Sequence, residues 1–214
     1  MKLILIELNE INFDMVNFYL DKSIDLPGFK KIIDYGLVTT EAESKYDLLE
    51  PWIQWPSVHC GKEALNHQIF RLGDIVSSNE EQFFEKIEKS GFSVGAISPM
   101  NASNKLRTPA YFIPDPWTKT PCDDSFLSKN ISSAISQAVN DNAQSKLTKS
   151  SIFSLLVVFF ALVHPFRYLK MISYAIGAFA KPWRKALFLD IFLYEIHKTL
   201  LKRKSPDFAT LFLN

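Results

Sequence analysis

Ser57, His59 and Cys60 stand within one helical turn's length of one another, with His67 a short way on. A hydroxyl, an imidazole and a thiol so spaced are the types that nucleophilic catalysis uses. They lie in Glu50–Asp74, EPWIQWPSVHCGKEALNHQIFRLGD, which also carries Trp52 and Trp55 and follows neither a helical nor a strand period. Polar groups set in an apolar frame are how a binding site is built. Two arrangements fit Ser57 and His59. One is a nucleophile at the start of a helix, activated by the helix dipole and a metal. The other is a packed helix in which both satisfy backbone groups. Cys60, before Gly61, reads as a small buried residue rather than a thiolate. His67, with Arg71 and Asp74 nearby in sequence, reads either as a neighbour of a phosphate or metal or as a helix-end histidine. His164 and His197 are not read as ligands. Neither a glycine-rich phosphate loop nor a GxSxG elbow is present.

Asn9 and Glu10 follow the apolar run Lys2–Leu8, KLILIEL. Such a run predicts a strand buried on both faces of a parallel sheet. Polar residues just past its carboxyl end fall where open α/β sheets bind ligands. Oxygen donors there suit a divalent ion, and they equally suit a cap on the next helix.

The elements that must position these groups follow an α/β pattern. Asn12 is placed to cap a helix over Phe13–Asp21 with Met15, Val16, Tyr19 and Leu20 on one face. Pro27 opens and Gly36 closes a second helix, and Leu37–Thr40 is a short strand candidate. Glu80–Ser90 predicts an amphipathic helix ended by Gly91, and Phe92–Ser98 predicts the next strand, as in a βαβ repeat. The proline-rich Arg107–Cys122 reads as an irregular excursion. Asp124–Ser145 reads as a solvent-facing helix. Ser151–Phe166 is the most apolar window but falls short of the roughly 20 residues a membrane span needs. With the basic residues that follow, 151–185 reads as a helical hairpin docking on a membrane surface or a partner. Leu187–Lys202 is a further amphipathic helix, and SPDFATLFLN closes the chain as an apolar strand. The expected organisation is residues 1–122 as the first part of an α/β domain, 123–204 as a helical insertion or cap, and 205–214 as a returning core strand. A parallel strand at the very end suggests a fragment, or an early stop, of a longer α/β protein.

Composition excludes several classes. A net charge of +1, with Lys and Arg spread along the chain, lacks the basic stripe of a nucleic-acid binder. Two cysteines without knuckle spacing fit a reducing compartment. The N-terminal apolar run is too short for a signal-peptide core. The expected location is cytoplasmic, with membrane association through 151–185.

Taken together, ILIELNEINFD, LPGFKKIIDYGLVTTEAES, EPWIQWPSVHCGKEALNHQIFRLGD and FFEKIEKSGFSVGAISPMNA resemble, in order, the N-terminal half of the alkaline-phosphatase-like superfamily. The closest resemblance is to its type I phosphodiesterase/nucleotide pyrophosphatase-like members, over about residues 3–101. SPDFATLFLN is similar to the strand that leads into that family's later Asp and His ligands. The family's first Asp falls on Asn9, with Glu10 beside it; its Thr-Gly pair reads Cys60–Gly61, and its His-Gly-Ile reads His67–Gln68–Ile69. The slot of the family nucleophile falls on Pro51. Ser57 is the nearest hydroxyl, and Glu50 lies beside the slot. The resemblance implies an alkaline-phosphatase-like sandwich, incomplete in this chain, and a phosphoester hydrolase or phosphotransferase with two divalent metals, usually zinc. It implies Ser57 as catalytic, Asn9, Glu10 and Glu50 as metal ligands, and His59 and His67 facing a phosphoester-containing small molecule or glycan precursor. The remaining Asp and His ligands would lie beyond Asn214. The alternative is a non-catalytic binding or scaffold protein docked through 151–185.

Overall fold

In the computed structural model, residues 3–140, 149–181 and 183–214 are described. Four strands, β1 (Leu3–Leu8), β2 (Val94–Ile97), β3 (Tyr111–Ile113) and β4 (Phe208–Leu213), make one parallel sheet in the order β1-β4-β2-β3. The last strand therefore lies between the first and the second. Between β1 and β2 run α1 (Phe13–Asp21), α2 (Pro27–Tyr35), α3 (Pro51–Cys60), α4 (Ala64–His67), α5 (Asp74–Ser77) and α6 (Phe83–Lys89). Between β3 and β4 run α7 (Phe126–Asn140), α8 (Lys149–Leu162), α9 (Tyr168–Ala180) and α10 (Arg184–Lys204).

β4, β2 and β3 are covered on both faces, as strands of a parallel sheet usually are. Strand alternation sends Ile97, Tyr111, Ile113 and Leu211 to one face, where they pack with Ile131, Ile135, Val158, Leu162, Phe192 and Ile196 of α7, α8 and α10. Val94, Ala96, Phe112 and Phe208 face the other way and pack with Phe84 of α6. α3 lies on that second face, with the Trp55 ring edge-on to Phe212 at 5.3 Å. β2 lies so close to β3 that a Cβ on Gly95 would sit 2.4 Å from the Tyr111 ring, so only glycine fits there.

Local signals account for many element ends. Asn12 caps α1, its Oδ1 accepting from the Met15 N–H at 2.9 Å. Pro27 opens α2 and Gly36 closes it. Gly91 follows α6 in a left-handed conformation.

Five expectations are corrected. Lys2–Leu8 predicts a strand buried on both faces. β1 is a parallel strand at one edge of the sheet, and the helix layers that bury the other edge strand, β3, do not cover it: Leu3, Ile4 and Ile6 are exposed while only Glu7 is buried. Of the α1 stripe, only Val16 is buried. Leu37–Thr40 pairs with no strand, and Val38 is 92% exposed. α7 is not solvent-facing: Ile131, Ala134 and Ile135, spaced i, i+3, i+4, are fully buried among its Ser and Asn residues. The proline-rich excursion conceals β3, whose three core residues lie between Pro109 and Pro114. Residues 141–145 of the helix expected over Asp124–Ser145 lie outside the described residues.

α10 also buries His197 against Tyr111, ring centroids 6.3 Å apart, with no hydrogen-bond partner for either imidazole nitrogen or the phenol among the described residues. Burial pushes the His197 pKa down from 6.5 to about 4. The unfolded chain therefore binds a proton that the folded one refuses between those values. Stability present above pH 6.5 is lost as pH falls toward 4, by about 3 kcal/mol from this residue. Urea midpoints measured at pH 7 and pH 4.5 should converge in the His197→Leu variant relative to wild type. An unchanged pH dependence in that variant would assign acid sensitivity to other groups.

Candidate functional site

The carboxyl edge of the sheet is assembled by the register of β1 and β4, which pairs Leu8 with Leu213. The Asn9 N–H donates to the Leu213 carbonyl at 3.0 Å, and its Nδ2 donates to Asn214 Oδ1 at 3.2 Å. Residues 205 positions apart in the chain thus meet side by side. The Trp55 indole N–H of α3 donates to Asn9 Oδ1 at 3.2 Å. From the other face, Asp190 of α10 accepts the Asn214 N–H at 3.2 Å, and burial pushes the Asp190 carboxyl above the usual carboxylate range. Glu10 follows with a left-handed φ of 54° and an exposed side chain. Glu50 precedes α3 as its N-terminal flanking residue, exposed and without a side-chain capping bond. It stands about 7.5 Å along the helix axis from Trp55 at 1.5 Å per residue.

Beneath this edge is a buried polar chain that the sequence reading missed. Glu7 of β1 accepts from the Thr210 hydroxyl of β4 at 2.7 Å, and its other oxygen faces His59 Nε2 at 3.4 Å. All three residues are buried, and the His59 ring is packed against Trp55, Phe83 and Phe84. His59 Nδ1 has no partner among the described residues. The signal that could have found it is a lone carboxylate inside the apolar run LILIEL, since an unpaired buried charge is costly. His59, expected to face substrate, is instead directed at the sheet.

Ser57 and His67 are brought together, but away from Glu7 and His59. Two residues apart on a helix is about 200° of rotation, so Ser57 and His59 leave opposite sides of α3. Ser57 Oγ lies 2.9 Å from His67 Nε2. The Ile69 N–H donates to His67 Nδ1 at 2.9 Å. Nδ1 is therefore the acceptor nitrogen and Nε2 carries the proton. His67 gives a hydrogen bond to Ser57, whose own proton is aimed at the Ile53 carbonyl at 3.3 Å. A catalytic base must take the nucleophile's proton; this pair is set the other way. Burial also pushes the His67 pKa down. The Cys60 thiol is pushed up to about 11, chiefly by burial and then by Glu80, and it packs with Ile69 and Ile75. It stays a protonated core residue, as its place before Gly61 predicts.

What holds α3 in place is Asn101, also missed from sequence. Pro56 sits inside α3 and has no N–H for the Trp52 carbonyl four residues back. Asn101 Nδ2 supplies that bond at 2.7 Å and also donates to the Arg71 carbonyl at 3.2 Å. Its Oδ1 accepts the Gly73 N–H at 2.9 Å. Its own N–H donates to Asp115, which also accepts the Trp117 and Thr118 amides. Asn101 is fully buried, with a left-handed φ of 47°.

Asn9 and Glu10, at the edge, and Glu50, which no hydrogen bond joins to them among the described residues, carry donor types that suit a divalent cation. Asn9 Oδ1 has a second lone pair beyond its bond to Trp55, and the Glu10 and Glu50 carboxylates make no side-chain bond among the described residues. These are hard oxygen ligands of the kind Mg²⁺, Mn²⁺ and Ca²⁺ take more readily than zinc's usual nitrogen and sulfur set. Among the described residues, no three His, Cys, Asp or Glu side chains converge as a metal cage. Searches of protein-family models, curated proteins and solved structures found no match to the chain.

Proposed function

We propose that this chain carries one wall of a metal-dependent phosphoester hydrolase or phosphotransferase site of the alkaline-phosphatase-like kind, at the carboxyl edge formed by β1 and β4. The observation that carries the reading is the pairing of Asn9 with Asn214 beneath Trp55. It sets the residue after the first strand beside the residue after the last, in a mixed α/β frame with a parallel sheet. Open parallel sheets place ligands at this edge. Asn9, Glu10 and Glu50 would hold the cation, and Asp190 adds a further carboxyl group beside Asn214. Such an acidic rim repels a phosphoester by itself. A bound divalent ion would reverse that local sign and polarise a phosphoryl oxygen. Ser57 is proposed as a positioning residue for α3 rather than as the group that is phosphorylated, because His67 donates to it. The donors described do not close a cage, so slow or no turnover is expected of this chain by itself.

Trp55 gives the test. Titrating the protein with Mn²⁺ or Zn²⁺, and then with bis(4-nitrophenyl) phosphate, should change its fluorescence, and the change should vanish in Asn9→Leu and in Trp55→Phe. It should weaken in Glu10→Ala/Glu50→Ala. A signal indifferent to metal and to phosphodiester, or one that persists in Asn9→Leu, would remove the proposal.

A further inference from the structure

Helices α8 and α9, joined by the turn at Pro165–Arg167, carry exposed apolar residues that the sheet does not use. α8 exposes Phe153, Leu156 and Phe160, and α9 exposes Leu169, Ile172 and Ile176. Each set repeats at i, i+3, i+7, so each is a single stripe along its helix. Phe166, in the turn between them, is 93% exposed and Leu169 is 85% exposed. Trp183, after α9, is exposed as well, with Arg184 stacked over its ring at 5.1 Å. These are not residues awaiting the core. The opposite sides of the same helices already supply Val158, Leu162 and Met171 to it.

Charge indicates what meets this surface. From Asn142 to Leu189 the chain has no Asp or Glu and seven Lys or Arg. Of these, Lys170, Lys181, Arg184 and Lys185 lie on or just after α9. The next acidic side chains along the chain, Asp190 and Glu195, are engaged: Asp190 bonds the Asn214 amide, and buried Glu195 faces Arg167 at 3.5 Å. The chain as a whole is nearly neutral, at +1. One-signed charge confined to the flank of its most apolar surface is thus a local feature. No helix among the described residues is long and apolar enough to cross a membrane. Aromatic and aliphatic residues with basic flanks on helices too short to span describe a surface that lies in the headgroup region. Each Lys or Arg near an anionic leaflet contributes about 1 kcal/mol.

We propose that the turn between α8 and α9, with the exposed stripes of the two helices, docks this protein on the surface of an anionic lipid bilayer, with Phe166 and Leu169 entering the acyl boundary and Lys170, Lys181, Arg184 and Lys185 meeting the headgroups. This is independent of the phosphoester reading. Vesicle binding is expected to survive Asn9→Leu, which abolishes the Trp55 response, so the two proposals can fail separately.

Co-sedimentation of the full chain with phosphatidylcholine–phosphatidylserine vesicles tests it. Binding is expected to those vesicles, to fall with salt, and to be weak with phosphatidylcholine alone. Lys170→Gln/Lys181→Gln should weaken it about thirtyfold, from two basic contacts. Phe166→Ser/Leu169→Ser should abolish it; both side chains are exposed, and circular dichroism would verify the fold. Three results overturn the proposal: no sedimentation of the intact chain with anionic vesicles, equal binding by the serine double variant, or a solution dimer that this variant dissociates in a chain that ignores vesicles.

Discussion

Glu7→Leu is expected to destabilise the protein by about 3–4 kcal/mol, although Glu7 lies on an edge strand. Its carboxylate joins three elements: β1 through its own backbone, β4 through Thr210 and α3 through His59. Removing it leaves the Thr210 hydroxyl and the His59 imidazole buried without their partner, and side-chain packing adds little to the backbone ladder that pairs β1 with β4, since Leu3, Ile4 and Ile6 are exposed. Urea unfolding followed by far-UV circular dichroism would show a lower midpoint. Thr210→Val, which takes away one hydrogen bond and keeps the shape, should cost about 1–3 kcal/mol. The triple change Glu7→Met, His59→Leu, Thr210→Val should recover most of the loss, because a wholly apolar replacement of a buried polar cluster leaves nothing unpaired. If Glu7→Leu leaves the midpoint where it was, the cluster does not hold β1 in the sheet.

Asn101→Ala is expected to cost about 4 kcal/mol and to loosen α3 specifically. The side chain is fully buried and makes three hydrogen bonds, to the Trp52 and Arg71 carbonyls and from the Gly73 amide. Each buried group left unpaired costs about 1–3 kcal/mol. The Trp52 carbonyl has no second donor in its own helix, because Pro56 occupies the position that would bond it. Hydrogen exchange should therefore rise along Pro51–Cys60 before it rises in β2 or β4, whose ladder is untouched. Asn101→Gly should lose the same bonds but tolerate the left-handed φ better, and so be milder than alanine by about 1 kcal/mol. Because Trp55 rides on α3, either substitution should also blunt the metal response proposed at Asn9. Uniform exchange across the sheet and α3 would show that Asn101 supports the domain generally rather than the helix beneath the site.

The legible part of this protein was what neighbours in sequence decide. Asn12, Pro27, Gly36 and Gly91 mark helix ends by the rules of capping and backbone conformation, which act within a few residues. The β-runs at both ends of the chain, and helices between residues 151 and 185, follow from composition alone, whereas α8 packs on α7 and α9 on α10 rather than on each other as a hairpin. Cys60 as a buried residue did too.

The candidate site was legible only in pieces. Asn9 and Trp55 were each in view, but their contact depends on α3 lying across the end of β1. Asn214 was not in view at all, because its role comes from β4 entering the sheet beside β1. Ser57 and His59 read as one group in sequence, yet a helix turns them to opposite sides, and the mixture of proline, polar and apolar residues in Pro51–Cys60 hides that period. Which strand becomes the edge is likewise no property of the strand. Leu3–Leu8 is as apolar as Phe208–Leu213, and the helix layers that cover β4, and cover β3 at the opposite edge, leave much of β1 open. Composition and short-range backbone chemistry determined the elements and the basic, acid-free stretch through α8 and α9. Long-range strand order and helix rotation decided which polar groups meet, because those are set by packing between residues as much as 205 positions apart.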